Sequence, residues 1–284
     1  MRTMVNENRR TLVLGASGFV GQELTSKIEL SSDLICPSRS NYSNIESEFW
    51  NFLKDESELT VINLLGNASM NNLNESTLVN FTLPKKVLDS LQNRRIHWIQ
   101  ASSYFKLYKK IYGSDMNFYS KEKDRFSEYL FNRASADSLR VTDLIFPHII
   151  GPTEKNQRFF KSLASHLVRK EVFYASNCKQ ILPILSIKKL IEFLTIYLTQ
   201  SYQECPEHQM LKLPCEYLGS LMGAVTSFRE GFPGTSNVVY DSSLNREKEF
   251  YELDWLKVRK YRSDFLAQVG VEYYNFLTNL EKGK

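Results

Sequence analysis

With 284 residues, 42% of them hydrophobic and 13% aromatic, the chain can bury a sizeable core as one large domain or two closely joined ones, and it reads as globular. Its 36 Lys and Arg against 32 Asp and Glu leave a formal charge of only +4, dispersed rather than gathered in runs, which excludes a nucleic-acid footprint but leaves anionic small molecules as partners. Cys36, Cys178, Cys205 and Cys215 are far apart without a CxxC pair, which excludes a zinc site and a dense disulfide framework and suits a reducing compartment.

The N-terminal residues Met1 to Arg10 are polar, and the apolar run after them is broken by Gly15, Ser17 and Gly18, so no signal-peptide core is present. The longest apolar stretch elsewhere, Ile181 to Leu198, is interrupted by Pro183, Ser186, Lys188, Lys189 and Glu192, short of the roughly 20 clean residues of a membrane span. A soluble cytoplasmic protein without membrane contact is expected. The sequons at Asn41, Asn67, Asn74 and Asn80 are then chance matches.

In chain order, Thr11 to Leu14 is a short apolar strand ending at glycine, and Gln22 to Leu30 has helical spacing with Leu24 and Ile28 on one face. Asp33 to Cys36 is a second strand stopped by Pro37. Leu59 to Leu65 is a bare hydrophobic run, as expected for a strand covered on both faces. Thr77 to Gln92 predicts a helix, Ile96 to Ala101 a strand, Phe118 to Asn132 a helix, and Val141 to Ile150 a strand closed by Gly151 and Pro152. This alternation predicts an α/β fold with a doubly wound parallel sheet. Helices follow around Phe159 to Arg169 and Ile187 to Thr199, then a Gly- and Pro-containing stretch and a Lys/Glu-rich C-terminal helix. The expected division is a cofactor-binding domain over residues 1–150, with 178–200 packing back on it, and a smaller substrate-binding lobe over 151–284. The aromatic C-terminal region, including Tyr251, Trp255, Tyr261, Phe265, Tyr273, Tyr274 and Phe276, reads as packed core.

Gly15-Ala16-Ser17-Gly18-Phe19-Val20-Gly21 lies between the first strand and first helix, where glycines permit a tight turn and close approach of a pyrophosphate to the helix N-terminus. A glycine motif alone also fits a tight turn with close packing; the strand-loop-helix setting points to a Rossmann dinucleotide site. An NAD site usually carries an Asp or Glu at the end of the second strand, but that end reads Cys36-Pro37-Ser38-Arg39-Ser40. Arg39 with its flanking hydroxyls suits a 2′-phosphate, so NADP(H) is the expected cofactor, against the plainer reading of an arginine solvated on a loop.

Tyr119 and Lys123 stand four apart on one helix face, a YxxxK pair. A phenol with a pKa near 10 exchanges protons near neutrality only beside a cation, which Lys123 supplies. The same spacing also occurs on ordinary helix surfaces; its place after Ser102-Ser103, in a chain with the glycine loop, gives it a catalytic reading, with Ser103 bonding the substrate oxygen.

GASGFVG, VINLLG, VNFTLPKKVLDS, ASS, YSKEK, IIGPT and ILPILSIKKLIEFL together resemble the extended short-chain dehydrogenase/reductases, the sugar-nucleotide epimerase/dehydratase family, over about residues 10 to 200. Phe105 to Tyr108, followed after ten residues by Tyr119, resembles the nucleoside-diphosphate-4-keto-6-deoxyhexose 4-reductases such as the CDP-abequose, CDP-paratose and dTDP-fucose synthases. The resemblance implies cofactor contacts at Gly15, Ser17, Gly18, Phe19, Val20, Gly21, Ser38, Arg39, Ser40, Leu65, Gly66, Tyr119, Lys123, Phe146 and Pro147. It implies substrate contacts at Ser102, Ser103, Tyr104, His148, Lys155, Asn156 and Arg158, and no metal. It also implies a nucleotide-sugar substrate, a role in polysaccharide biosynthesis, and a homodimer formed through the helices at about 77 to 92 and 118 to 132. Asn80 resembles a locally bonded, structural asparagine.

Departures from the family pattern narrow the reaction. Tyr104-Phe105 follows Ser103 where dehydratases carry Asp-Glu, which disfavours dehydration. Ile145 replaces a common basic residue, and His148 stands where Asn or Asp is usual. The expectation is an NADPH-dependent reductase of a keto group on a nucleotide-linked sugar, with an NAD-retaining sugar-nucleotide epimerase and a non-catalytic NADP-binding regulatory protein as alternatives.

Overall fold

The computed structural model describes residues 10–27, 34–38, 41–42, 58–68, 72–91, 95–107, 118–134, 139–155, 158–200, 208–234, 237–244 and 264–282. In chain order these form β1 (Arg10–Leu14), α1 (Phe19–Lys27), β2 (Leu34–Ile35), β3 (Glu58–Asn63), α2 (Leu73–Thr77), a π-helical stretch (Leu78–Thr82), α3 (Leu83–Ser90), β4 (Arg95–Ser103) and α4 (Phe118–Ala134). There follow β5 (Leu139–Phe146), β6 (His148–Ile150), α5 (Phe159–Arg169), β7 (Phe173–Ala175), β8 (Ile181–Ser186), α6 (Ile187–Gln200), β9 (His208–Lys212), β10 (Tyr217–Ser220), α7 (Leu221–Arg229), β11 (Val238–Tyr240) and α8 (Phe265–Lys282). The chain divides into two compact units, Met1–Phe146 with Phe193–Lys212, and Pro147–Glu192 with Leu213–Lys284.

The first unit is built on a six-stranded sheet in the order β2-β1-β3-β4-β5-β9, with every neighbouring pair parallel. This is the expected Rossmann-like parallel sheet with flanking helices. The bare hydrophobic runs become its inner strands because both faces are covered: Leu12, Leu14, Leu59, Val61, Trp98 and Val141 share one core with Val87, Leu88, Phe126 and Leu130 of the helices. Trp98 and Phe126 are wholly buried with ring centroids 5.6 Å apart. Each such side chain contributes about 2–3 kcal/mol by leaving water.

Besides the short strands of the second unit and α7, three departures from the sequence expectation bear on the large sheet and its helices. The helix expected over Thr77 to Gln92 starts earlier, at Leu73, where the Asn72 side chain caps Glu75 N at 3.0 Å. It then widens into the π-helical stretch immediately before Pro84. Proline lacks an N–H and its ring collides with the carbonyl four residues back, so the helix accommodates it by widening. Second, the strand expected over Val141 to Ile150 is two strands: β5 pairs with β4 in the large sheet, whereas β6 pairs with β8 in another, and Pro147, which cannot donate to a ladder, separates them. Third, β9 supplies the sixth strand from a segment read as irregular. Tyr251, Trp255 and Tyr261 lie outside the described residues, while Phe265 and Tyr273 are core, as expected.

The second unit holds a three-stranded sheet, β10-β8-β6, and the two-stranded parallel pair β11-β7. Its core combines Phe160, Leu163 and Leu167 of α5, Ala224, Val225 and Phe228 of α7, and Leu266, Val269 and Tyr273 of α8. No described helix is long and apolar enough to cross a membrane.

Helices α7 and α8 meet at glycine. A Cβ on Gly270 would lie 2.3 Å from the Phe228 carbonyl oxygen and 3.2 Å from Gly231 Cα, so the backbones touch directly. Gly270→Ala should force them apart and destabilise the protein by about 1–3 kcal/mol. A thermal melt should show an earlier transition for Gly270→Ala and an unchanged one for Glu272→Ala, which alters an exposed residue of the same helix.

Candidate functional site

In the first unit the chain builds outward from β1 in two directions, to β2 on one side and to β3 on the other. Ligands of open α/β sheets bind beyond the carboxyl ends of the strands at such a reversal. There β1 runs into Gly15, at φ +81°, and Gly18 N donates to Gly15 O at 2.9 Å to close the turn. A Cβ on Gly15 would sit 2.9 Å from the Leu64 and Leu65 backbone, and one on Gly21 would sit 2.2 Å from Gly15 O. Glycine is therefore required for strand, loop and helix to approach this closely.

Helix α1 begins inside the motif, at Phe19, and carries no acidic residue in its first turn. Its positive end is uncompensated and suits an anionic phosphate; the residues present fit a dinucleotide. Ser17 is exposed, and Phe19 and Val20 are half-buried. Beside β2, Asn41 Oδ1 accepts from Ser38 N and Ser38 Oγ, both at 2.7 Å. Arg39 and Ser40 lie outside the described residues. Tyr42 Oη accepts from Gly15 N at 3.2 Å, and burial pushes its pKa up to about 12, which keeps it a neutral phenol.

Helix α4 brings Tyr119 and Lys123 to the same edge. Lys123 is 4% exposed, and its Nζ donates to Leu65 O at 2.8 Å and to Ala101 O at 2.7 Å. It lies 5.8 Å from the centre of the half-buried Tyr119 ring. Gly66 completes the group: a Cβ there would lie 3.6 Å from Tyr119 Oη and 3.7 Å from Lys123 Cε. Burial pulls the Lys123 pKa down to about 8, and the negative charge of Asp143 opposes it. The ammonium is thus still largely protonated near neutrality, beside a phenol whose ionisation it favours.

Ser103 ends β4, two residues beyond Ala101, half-buried, with its Oγ accepting from Phe105 N at 3.4 Å. Ser102 is turned inward: it is 4% exposed and its Oγ meets Ser127 Oγ of α4 at 3.2 Å. Tyr104 is also buried, stacked on Phe105 at 4.4 Å, with its N–H donated to Phe146 O at 3.0 Å. Phe146 is the last residue of β5, in register with Ser103.

Polar residues that the sequence reading did not single out hold this group in place. Asn63 Oδ1 accepts from Leu65 N at 3.1 Å, Asn63 Nδ2 donates to Gln100 Oε1 at 2.8 Å, and Gln100 Nε2 donates to Ala101 O at 3.1 Å. Of the two residues whose carbonyls receive Lys123, Ala101 is thus held at its carbonyl by Gln100 and Leu65 at its N–H by Asn63. The available signal was a lone polar residue closing or interrupting an apolar run, as in VIN and WIQA. Asn80, as expected, is structural: its side chain bonds both N and O of Asn67, pinning the loop after Gly66.

The remaining expected residues belong to the second unit. Pro147 is buried. The His148 ring packs 5.9 Å from Phe160, and burial, with the Arg158 charge, pulls its pKa down to about 3, so it is neutral. Lys155 is exposed and Asn156 is outside the described residues. Arg158 Nε lies 3.5 Å from Glu154 Oε2. Glu154 is 3% exposed, and its other oxygen accepts from Tyr273 Oη at 2.5 Å, while Tyr273 Oη accepts from Gly151 N at 2.9 Å.

A family model described as the NAD dependent epimerase/dehydratase family matches residues 11–209. No curated protein matches the sequence. Among solved structures, the chain is similar to a UDP-N-acetylglucosamine 4-epimerase from Methanobrevibacter ruminantium M1, at 13% identity and TM-score 0.74 over 96% of this chain and 99% of that one. It is also similar to RMD from Pseudomonas aeruginosa complexed with NADPH, at 15% identity and TM-score 0.71 over 97% and 99%. A GDP-L-fucose synthetase from Naegleria fowleri matches at 16% identity and TM-score 0.71 over 98% and 96%. At these identities the likeness speaks for the fold.

Burial raises the Glu154 pKa from 4.5 to about 7, outweighing Arg158 and Tyr273, which pull it down. Between those two pH values the folded state holds a proton that the unfolded state has released, so stability from this group is full below pH 4.5 and falls as pH rises to 7. Glu154→Gln should abolish that slope, and chemical denaturation at pH 5 and pH 8 should show it gaining roughly 2–3 kcal/mol on the wild type between them.

Proposed function

The chain belongs to the NAD dependent epimerase/dehydratase family, and within it we propose an NADPH-dependent reductase of a keto group on a nucleotide-linked sugar. The observation that carries this reading is the Tyr119 hydroxyl held with Gly66 beside a buried lysine cation, at the carboxyl edge of a parallel sheet that opens with the glycine loop. We take residues 1–150 as the cofactor domain and 151–284 mainly as the substrate lobe.

The N–H groups at Phe19 and Val20 take the pyrophosphate, with Gly15, Ser17, Gly18 and Gly21 shaping the loop. Ser38, Arg39 and Ser40 take the 2′-phosphate. Leu65, Gly66, Phe146 and Pro147 line the nicotinamide side. When bound, the nicotinamide supplies a hydride to the carbonyl carbon. Tyr119 gives its proton to the carbonyl oxygen as that hydride arrives, and the second electron pair of the C=O bond becomes the new O–H bond. Lys123 stabilises the phenolate that results and holds the nicotinamide ribose. Ser103 hydrogen-bonds the reacting oxygen, while Ser102 and Tyr104 back the pocket. His148 offers a neutral ring to a substrate hydroxyl; Lys155, Asn156 and Arg158 offer donors to the sugar diphosphate. The protein acts in the cytoplasm, in polysaccharide biosynthesis, as a homodimer paired through the helices at about 77 to 92 and 118 to 132.

Neighbouring structures in complex with NAD or with NADPH are compatible with either cofactor on this fold. What favours NADPH is the end of β2, which offers Arg39 and no carboxylate. Arg39→Ala should weaken NADPH by about 1.5–3 kcal/mol through one lost charge-assisted contact and leave NADH nearly unchanged, as read by titration calorimetry. Equal NADPH affinity before and after would remove the 2′-phosphate assignment.

The reaction is tested by incubating the protein with NADPH and a panel of 4-keto-6-deoxy nucleotide sugars, following absorbance loss and product mass. Turnover on one of them is expected; NADPH oxidation on none would sink the reductase, and NAD found tightly bound in purified protein would favour the epimerase. On the confirmed substrate, Tyr119→Phe should bind NADPH nearly normally and turn over roughly a hundredfold more slowly or worse. A variant that keeps most of its activity would mean that the proton comes from elsewhere.

A further inference from the structure

Three neighbouring strands carry a row of buried polar side chains behind the candidate site. Asn63 of β3 is in register with Gln100 of β4, and Gln100 with Asp143 of β5; they are 1%, 1% and 0% exposed. Register partners on a parallel ladder point to one face. On that face Val141, two residues before Asp143, shares its core with Phe126 and Leu130 of α4, the helix of Lys123.

The two amides of the row are satisfied by each other and by the backbone. Asp143 is different. Its Oδ2 accepts from Lys106 Nζ at 2.8 Å, while its Oδ1 has no hydrogen-bond partner among the described residues. Lys106 Nζ also lies 3.4 Å from Asp124 Oδ1, and Asp124 follows Lys123 in the chain. Lys123, for its part, is bonded to two neutral carbonyls. A buried ammonium with only neutral acceptors is costly alone, and a buried carboxylate on the neighbouring strand, even one shared with Lys106, offsets part of that cost across a low-dielectric interior.

We propose that Asp143 is the buried counter-charge of Lys123 and, through it, a positioning residue for the Tyr119–Lys123 pair. Only the kinetic consequence rests on the catalytic reading of that pair. Among the described residues, the charged and titratable groups of the surrounding elements are few. Helix α4 contributes Tyr119 and Asp124, with Glu122 paired to Arg125 at 3.7 Å, Lys121 and Glu128 exposed, and Tyr129 and Arg133 bonded to Asp89; the segment after β4 contributes Lys106. Strand β5 contributes Asp143, with Arg140 exposed, and β3 only Glu58, at the far end beside Arg95. His97 bonds Thr142 on the opposite face of the sheet. Two buried aspartates thus face one buried and one half-buried lysine, and the direction of each effect follows from sign: Asp143 favours the Lys123 ammonium, Lys106 opposes it.

The test reads Lys123 directly. In protein labelled with 13C-lysine, its resonance is assigned by loss in Lys123→Met and titrated by NMR; the wild-type midpoint is expected near pH 8, since its pKa is pulled to about 8. Asp143→Asn, nearly isosteric, should lower the midpoint by about one unit or more. Lys106→Met, which leaves the Asp143 charge unshared, should raise it, so the test stands if either variant alone folds. With a confirmed substrate, the alkaline limb of the kcat profile should follow the same shifts with KM unchanged. Midpoints that stay put, or that move in the same direction in both variants, overturn the counter-charge. Shifted midpoints with an unmoved kcat limb overturn the positioning role. Opposite shifts in a protein that reduces no keto sugar would support the counter-charge and count against the catalytic reading alone.

Discussion

Keeping an ammonium inside a protein is among the more demanding things a fold can do, and the first unit is organised around doing so at Lys123. Its charge is received by two backbone carbonyls, one just past the end of β3 and one in β4, so strand spacing, helix position and loop path must agree within hydrogen-bond tolerance. Gln100 bonds the Ala101 carbonyl and Asn63 the N–H of Leu65, which explains why polar residues are tolerated in strands otherwise made of Leu, Val and Ile. Removing one member would leave others buried and unsatisfied, a larger loss than the bond itself.

The complementary constraint is space. Gly15 and Gly21 let the first loop press against its own helix and against the chain leaving β3. Side chains are excluded where the backbone must come close, and admitted where charge must be held. Asn80 extends the same logic: from the helix that follows, it fixes the segment carrying Gly66 at both its N–H and its carbonyl.

The repeating strand–helix order of the first unit could be read from the chain because its signals are local: glycines at a strand exit, apolar runs of strand length, and a Tyr–Lys pair one helical turn apart. What could not be read depends on partners distant in sequence. β9 is a short, weakly apolar strand, HQMLK, made a strand by β5 beside it rather than by its own composition. The break at Pro147 separates two apolar segments that look continuous, since nothing in VTDLIFPHII says that its halves join different sheets. Asp143 and Lys106 lie 37 residues apart, and neither has a neighbour in sequence that marks it as paired. Ser102 and Ser103 look interchangeable in the chain, yet strand alternation sends Ser102 inward to Ser127.

The bond from Gly151 to Tyr273 spans 122 residues, and the one from Tyr273 to Glu154 spans 119. Because a chain is made in one direction, the turn after β6 must wait for most of the second unit to be synthesised before its buried carboxyl has a partner. Until then Glu154 stays in water, and the pieces of β6, β8 and α5 already made have no closed core to enter. Five strands of the first unit's sheet are made by residue 146, and only its edge strand β9 arrives later. Order of emergence therefore favours an early, nearly self-sufficient cofactor-type sheet and a late, all-at-once closure of the other unit, with a slow step set by loop closure rather than by local propensity.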